Sequence, residues 1–446
     1  MIKSRNSRAR RSASAIIAFT VGAAIIAQPG AGAADPVQLT FWTNLTTASQ
    51  SSVIKAQALT CAAKSKTAIS LNFEAVPFGS MYTRMATAFS ANQGPDIMNT
   101  TEGGVIFGQA SGNIVPVDDV IDKQGRSDFL PSYLKAVSTG GKTWGVPDWA
   151  LHQEVYYRKD LFAKYNLTIP KSWPALLAAA QTITQKEAGV KGMAISLHAV
   201  QVAPQTWFQF LYANSVYVFD PNTGKYIFNQ NLDKAVVATE FMLDLYKKVS
   251  PPESVTWSWT DFRTAFVQGK LGMVFDFGAV VGQAATQNSA MLSNIGTFQL
   301  PAPTAKEKSG GNIGGGYFYM IGKSTSDREI LSKSIVNCMM NRNLTAVRAN
   351  SRPVFALPAT RSAAQSSAYL GNAVVQQFRP VIDSIRKTSL PNWYRYGMEG
   401  GLNALEAQIE ATTFIGDNLQ AAALGKITAK EAVAAINKEM MRLANQ

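Results

Sequence analysis

Val37-Gln38-Leu39-Thr40-Phe41-Trp42 is the stretch that decides the fold class, because its β-forming residues alternate as in a half-buried strand. A segment of helical spacing follows and carries the apolar residues Val53, Ala56, Leu59 and Ala63. Ile69-Ser70-Leu71-Asn72-Phe73 then alternates again. This order of strand, helix and strand predicts an α/β protein with a largely parallel sheet.

The same style continues along the chain. A helix is predicted around Met81 to Ser90, and Gly94-Pro95-Asp96-Ile97-Met98 predicts a turn into a short buried strand. Ser172 is placed as the N-cap of a further helix, with Pro174 in its first turn, where a missing N–H costs nothing. Helices and strands therefore alternate well beyond the first unit.

Two helix starts are predicted in the second half of the chain. Thr260 and Asp261 are expected to cap a helix that Gly269 ends, ahead of a strand at residues 271–275. Thr428 and Glu431 have the spacing of a capping box before a final amphipathic helix. The second half is thus also predicted to be α/β.

Length and composition indicate a globular protein of more than one lobe. The chain has 446 residues, and single hydrophobic cores stop growing at roughly 250–300 residues. Hydrophobic residues make up 46% of the chain and charged residues 16%, a composition typical of packed domains. Two lobes are the expected organisation.

Residues 1–34 have the pattern of a secretory signal peptide. A basic head precedes an apolar stretch from Ala13 to Ala27, and Ala31-Gly32-Ala33-Ala34 offers small residues for cleavage. The apolar stretch is shorter than the roughly 20 residues of a membrane-spanning helix. We expect cleavage near Ala34 without lipid attachment, while Arg10-Arg11 leaves Sec and twin-arginine export both open.

The charge balance does not favour a nucleic-acid binder. Removing the five positive charges of the leader from the total of +13 leaves +8. The remaining basic clusters are pairs such as Lys247-Lys248, whereas a nucleic-acid footprint concentrates Lys and Arg on one face. A solvated basic surface is the simpler interpretation.

Cysteine and histidine content argues against a metal site. The two cysteines, Cys61 and Cys338, could pair in an exported protein, but two cysteines leave a disulfide undecided. The two histidines, His152 and His198, belong to no recognised zinc spacing. We therefore expect no metal and no cofactor.

The sequence matches no catalytic motif with the required spacing. The glycine-rich stretch from Gly310 to Gly316 lies near Gly322-Lys323-Ser324, but the spacing misses that of a phosphate-binding loop by one residue, and residues 317–321 look strand-like. A hinge or a close backbone approach to a ligand suits this stretch better. Glu102, Glu154, Asp148 and Asp276 could converge for glycoside cleavage, yet their spacing carries no signal.

Aromatic residues close to polar ones are the strongest functional signal. Trp42 with Asn44, and Trp393 with Tyr394 and Arg395, have this character, as do Trp149, Trp207, Trp257 and Trp259. A sugar presents apolar C–H faces and hydroxyl groups, so its site needs aromatic platforms beside amide, carboxylate or guanidinium groups. The sequence therefore favours a carbohydrate site.

Several segments together resemble the bacterial extracellular solute-binding proteins of the sugar-binding group. The most specific are Tyr156-Tyr157-Arg158-Lys159-Asp160-Leu161-Phe162 and Pro170-Lys171-Ser172-Trp173. Others are similar to the family pattern in the same order: Leu39-Thr40-Phe41-Trp42, Gly94-Pro95-Asp96-Ile97, Thr143-Trp144-Gly145-Val146-Pro147, Phe266 to Met273 and Ile313-Gly314-Gly315-Gly316. Arg158 replaces the Asn that is usual in the family. Ser351 to Arg361 matches the corresponding family segment only loosely, so the resemblance does not define which of these residues form that part of the ligand wall.

The resemblance implies a two-lobed periplasmic-binding-protein fold with a ligand cleft between lobes joined by crossing segments. Its N-terminal lobe would hold residues 35–147 and about 298–360, and its C-terminal lobe about 148–297 and 361–446. Pro147 and the stretch from Gly310 to Gly316 would lie at the crossings.

The function that the resemblance implies is capture of a carbohydrate for an ABC importer, by a monomer without catalysis. The alternatives are glycerol 3-phosphate or a related polyol phosphate as ligand, and a secreted glycan-active enzyme. The cleft residues implied are Trp42, Asn44, Phe78, Glu102, Trp149, Trp207, Asp276, Gly315, Gly316, Tyr317, Trp393, Tyr394 and Arg395. Trp207 and Trp42 are the expected stacking residues.

Overall fold

The structure is a computed structural model that describes residues 35–198 and 202–445. The predicted signal peptide therefore lies outside the described residues. The strands are β1 (Val37–Thr43), β2 (Ile69–Ala75), β3 (Ile97–Thr101), β4 (Ile114–Val115), β5 (Ser138–Thr139), β6 (Lys142–Thr143), β7 (Val146–His152), β8 (Glu154–Arg158), β9 (Lys191–Ala194), β10 (Leu271–Asp276), β11 (Ile295–Phe298), β12 (Asn312–Gly322), β13 (Leu357–Pro358) and β14 (Trp393–Tyr394).

Helices cover both sheets. They are α1 (Ala48–Ala62), α2 (Met81–Ser90), α3 (Glu102–Ala110), α4 (Asp118–Gln124), α5 (Pro131–Ala136), α6 (Lys159–Lys164), α7 (Trp173–Lys186), α8 (Val202–Ala213), α9 (Leu232–Val249), α10 (Trp259–Val267), α11 (Ala279–Gln287), α12 (Ser326–Met339), α13 (Arg342–Asn350), α14 (Arg361–Ala364), α15 (Ser367–Leu370), α16 (Ala373–Gln377), α17 (Arg379–Thr388), α18 (Leu405–Glu410), α19 (Phe414–Ala423) and α20 (Ala429–Ala444). Short 3-10 turns occur at Phe78–Ser80, Arg126–Asp128, Phe228–Gln230, Pro252–Thr256, Ser289–Asn294 and Leu390–Asn392. Across the described ranges, no helix has both the length and the hydropathy to cross a membrane.

The first predicted unit forms as expected, since β1 pairs in parallel with β2 across α1. It belongs to an eight-stranded sheet whose order is β13-β7-β12-β3-β1-β2, with β4 and β14 also paired to β12. A second sheet of four strands has the order β11-β8-β10-β9. We call the parts of the molecule built on these sheets the large-sheet lobe and the small-sheet lobe.

The prediction of a largely parallel sheet is wrong. Strand β12 runs antiparallel to both β3 and β7, and β8 runs antiparallel to β10 and β11. Local periodicity identifies a strand but carries no information on its partner or direction.

The chain passes from the large sheet to the small sheet at Gln153, which separates β7 from β8. Pro147, predicted at this crossing, lies inside β7 and pairs with Phe318. The return runs between β11 and β12. The lobe ranges stated above stay a prediction, while the strand bounds place Gln153 at the first crossing.

Helix caps mostly follow the sequence. The Ser172 hydroxyl accepts a hydrogen bond from the Ala175 N–H, and Thr428 and Glu431 form the predicted capping box of α20. The predicted cap at Thr260 is wrong, because Ser258 caps α10 and Asp261 closes a capping box with it. This earlier start makes Trp259 the first residue of α10.

Cys61 on α1 and Cys338 on α12 form a disulfide bond, which the sequence left undecided. The two residues are 277 positions apart, and their Cα atoms lie 5.7 Å from each other. The bond ties two helices of the large-sheet lobe together.

Candidate functional site

A cavity of about 210 Å³ lies between the two lobes. The large-sheet lobe and the loops that adjoin it contribute Phe78, Thr101, Glu102, Leu151, Gly314, Gly315, Gly316, Tyr317, Arg352 and Phe355. The small-sheet lobe contributes Gln205, Trp259, Arg263 and Phe277, and Arg395 follows β14. Because both lobes supply the walls, a ligand held here would contact both.

Glycines of β12 form the floor of the cavity and let Glu102 approach closely. The Gly316 N–H donates to the Glu102 carboxylate at 2.8 Å. A Cβ atom at Gly315 would lie 2.9 Å from Glu102 Oε1, closer than real Cβ contacts. Any larger residue at position 315 would displace this carboxylate. The predicted close backbone approach thus serves a protein side chain.

One end of the cavity holds a buried charge network around Arg395. Its guanidinium lies 3.3 Å from Glu102, 3.0 Å from Glu406 and 2.6 Å from Glu410. Burial raises the pKa of Glu102 and raises the pKa of Glu406 to about 8. These carboxylates compensate the positive charge of Arg395 within the protein.

The opposite end carries two further arginines. Arg263 donates to Asp276, whose other oxygen accepts from the Val280 N–H at 2.9 Å. The Arg352 guanidinium stacks 3.9 Å from the centre of the Phe355 ring and has no carboxylate partner among the described residues. Burial, and then the charge of Arg263, lowers the pKa of Arg352 to about 10.

Aromatic rings and unpaired polar atoms complete the walls. The rings are those of Phe78, Trp259, Phe277, Tyr317 and Phe355. Among the buried lining residues, Thr101 Oγ1 and Gln205 Oε1 have no hydrogen-bond partner in the protein. Buried polar atoms normally have partners, so these two atoms at the cavity wall are unsatisfied within the protein. The cavity combines flat apolar faces with hydrogen-bonding groups.

A comparison with models of protein families identifies the family of this chain. The family model described as "Bacterial extracellular solute-binding protein" matches residues 44–340, more than half of the chain. The chain belongs to this family. The resemblance seen in the sequence is therefore confirmed.

Several relatives of this solute-binding protein are known. Proteins of Brucella abortus and Brucella suis with a general binding-protein designation are 25% identical over 210 residues, 46% of this chain. The aligned part spans 50% of the length of those relatives. The diacetylchitobiose binding protein DasA of Streptomyces coelicolor is 22% identical over 335 residues, 74% of this chain and 75% of DasA.

The fold is shared with solved solute-binding proteins. Maltose-bound MalE3 of T. maritima superposes with a TM-score of 0.76 at 21% identity, covering 91% of this chain and 100% of MalE3. The predicted two-lobed periplasmic-binding-protein fold is confirmed.

In this solute-binding protein, six of the predicted cleft residues do line the cavity. They are Phe78, Glu102, Gly315, Gly316, Tyr317 and Arg395. Asp276 lies just behind the wall, where it holds Arg263. Trp149 is fully buried and packs against Tyr317, with ring centres 5.7 Å apart. These two residues position cavity residues without lining the cavity themselves.

Trp207 does not lie at the cavity. Its side chain is fully buried, its indole N–H donates to Thr239 Oγ1 at 2.8 Å, and its ring packs against Phe208 and Phe228. Gln205 lies on the same helix, two residues earlier, and lines the cavity. Residues two apart on a helix point in nearly opposite directions, which places Trp207 in the core.

The remaining predicted residues also lie off the cavity. Trp42 is 6% exposed, with the Arg84 guanidinium 5.0 Å from its ring centre. Asn44 is buried and its amide contacts Met81. Trp393 and Tyr394 form β14 and line a neighbouring cavity of about 230 Å³ instead. The expected stacking roles of Trp42 and Trp207 thus do not fit their positions.

The predicted cleft residues leave out nine of the lining residues, although Trp259 was among the aromatic residues that favoured a carbohydrate site. The nine are Thr101, Leu151, Gln205, Trp259, Arg263, Phe277, Gly314, Arg352 and Phe355. Trp259 and Arg263 could have been found together, because they lie four apart on α10, while Phe262 and Phe266 face the core. Arg352 and Phe355 fall in the segment that matched the family only loosely.

Proposed function

We propose that this protein captures a carbohydrate outside the cytoplasm and delivers it to the membrane subunits of an ABC importer. The observation that carries the proposal is the interlobe cavity, where aromatic rings lie beside unpaired polar atoms of Thr101 and Gln205. Such walls suit the C–H faces and hydroxyl groups of a sugar. Diacetylchitobiose, the ligand of DasA, and maltose, the ligand of MalE3, are both carbohydrates and support the same ligand class.

We further propose that the captured ligand leaves chemically unchanged. Of the four carboxylates that could have converged for glycoside cleavage, Glu102 alone lines the cavity. Asp148 pairs with Arg348, Asp276 pairs with Arg263, and Glu154 accepts from Ser389 at 2.7 Å. Export through the signal at residues 1–34 and a monomeric state are parts of the same proposal.

Replacing Trp259 with Ala is expected to weaken saccharide binding by about 1–2 kcal/mol, roughly 5- to 30-fold, because a stacking ring is lost from the wall. Isothermal titration calorimetry against mono-, di- and oligosaccharides measures this change. Trp144→Ala is the matched control, since Trp144 is also partly exposed and lies outside the cavity lining. Equal affinity of Trp259→Ala and the wild type would contradict the assignment, and no binding by any saccharide would overturn the proposed function.

Ligand binding is expected to close the lobes, because a ligand that contacts both walls stabilises the closed arrangement over the open one. Small-angle X-ray scattering of the protein with a saturating saccharide should give a smaller radius of gyration than scattering of the free protein. The control is a saccharide that calorimetry shows not to bind. Identical curves with and without a bound saccharide would contradict closure.

A further inference from the structure

The charges around the interlobe cavity are unevenly compensated. Four charged side chains line it, namely Glu102, Arg263, Arg352 and Arg395. Arg395 is matched by Glu102, Glu406 and Glu410, and Arg263 is matched by Asp276. Within the described residues, Arg352 is the one cavity arginine without an ion pair.

An uncompensated guanidinium in such a place costs free energy in the empty protein. Arg352 has lost part of its hydration, and Arg263 adds a like charge nearby, so the pKa of Arg352 falls to about 10. Phe355 holds the guanidinium plane by stacking, at 3.9 Å from its ring centre. The group is therefore held in place on the cavity wall. Asp276 attracts its charge but forms its ion pair with Arg263.

We propose that Arg352, with Arg263 beside it, binds the anionic group of an acidic carbohydrate, a carboxylate or a phosphate. This inference rests on the proposed function and narrows its substrate class. A guanidinium donates two parallel hydrogen bonds to such a group, which fixes the orientation of the ligand as well as adding affinity. The aromatic rings that line the cavity then contact the sugar ring.

The number of carboxylate partners distinguishes the Arg352 site from the cluster at Arg395. The sequence resemblance placed Arg395 among the implied cleft residues. Its carboxylate neighbours already compensate its single positive charge, so this cluster offers an added anion no uncompensated cation. The single net positive charge at the Arg352 end matches a carboxylate best, and a phosphate is the second source of the same chemistry.

Calorimetry with matched pairs of ligands tests the proposal. The pairs are D-glucose with D-glucuronate and D-galactose with D-galacturonate, and D-glucose 6-phosphate and glycerol 3-phosphate are the phosphate probes. The wild-type protein is expected to bind the acidic member of a pair at least about 10-fold more tightly than the neutral one. This preference should weaken as salt rises from low to physiological ionic strength. Binding of the phosphates but not the uronates identifies phosphate as the source.

The variant Arg352→Gln should abolish the preference for the acidic member of each pair. Arg352→Lys should keep part of the preference, because the charge remains and the paired hydrogen bonds are lost. Arg442→Gln is the matched control, since Arg442 lies exposed on α20. The melting temperature of each ligand-free variant reports whether it has folded.

The outcomes separate this inference from the function on which it rests. Wild-type protein that binds neutral saccharides as tightly as acidic ones, or more tightly, would overturn the anion site and leave carbohydrate capture standing. An acid preference that survives in Arg352→Gln would also overturn the assignment to Arg352. No binding by any neutral or acidic saccharide would overturn both. If Arg352→Gln does not fold, a wild-type acid preference that Arg352→Lys keeps in full would overturn the assignment to Arg352, and a reduced preference would support it.

Discussion

Replacing Asp148 with Ala is expected to lower the free energy of unfolding by about 3–5 kcal/mol, because the change leaves a buried guanidinium without its counter-charge. Asp148 on β7 and Arg348 on α13 are both fully buried, with a shortest contact of 2.6 Å. Arg348 also donates to Gln57 of α1 at 2.6 Å and to the Met339 carbonyl at the end of α12 at 2.7 Å. One side chain thus joins three helices to the large sheet.

Urea unfolding followed by circular dichroism measures the loss. Asp383→Ala is the matched control, because Asp383 pairs with Arg379 on the exposed face of α17 and exposed pairs contribute no more than about 1 kcal/mol. The double variant Asp148→Ala with Arg348→Met should regain part of the loss, since it removes the unpaired charge. Equal effects of Asp148→Ala and Asp383→Ala would show that the buried pair does not stabilise the large-sheet lobe.

Replacing Trp207 with Ala is expected to lower the free energy of unfolding by about 3–5 kcal/mol and to leave saccharide affinity nearly unchanged. Trp207 fills the core between α8 and α9, so its removal leaves a cavity and breaks the hydrogen bond to Thr239. This expectation replaces the one drawn from the sequence, in which Trp207 stacks on the ligand.

The pair Trp207→Ala and Trp259→Ala gives opposite signatures. The core variant should lose stability and keep affinity, whereas the cavity variant should lose affinity and keep most of its stability. Trp207→Phe is a milder control, because a ring still fills most of the core site. Chemical unfolding and calorimetry on the same preparations measure both quantities. Loss of affinity in Trp207→Ala at unchanged stability would return Trp207 to the binding site.

The geometry of the cavity floor requires small residues at particular positions of β12. Gly315 and Gly316 leave room for Glu102 to reach the floor, where it accepts from the Gly316 N–H. In turn Glu102 helps hold Arg395, so that one end of the cavity is closed by a compensated network. Arg352 is the cavity residue whose positive charge the anionic group of a ligand would compensate.

The sequence by itself determined what depends on near neighbours in the chain. Alternation identified β1 and β2, and helical spacing identified α1 between them. The caps of α7 and α20 were predicted because a capping hydrogen bond joins residues about three apart. Motifs in family order established the two-lobed fold and the family.

Only the tertiary structure decided which side chains meet. Strand direction, the disulfide between residues 277 apart and the separation of Trp207 from the cavity depend on packing that local periodicity does not encode. On α8, Trp207 points into the core, whereas Gln205, two residues earlier on the same helix, lines the cavity. The absence of an ion-pair partner for Arg352 among the described residues likewise follows only from the positions of the carboxylates in the fold, because electrostatic free energy depends on distance in space.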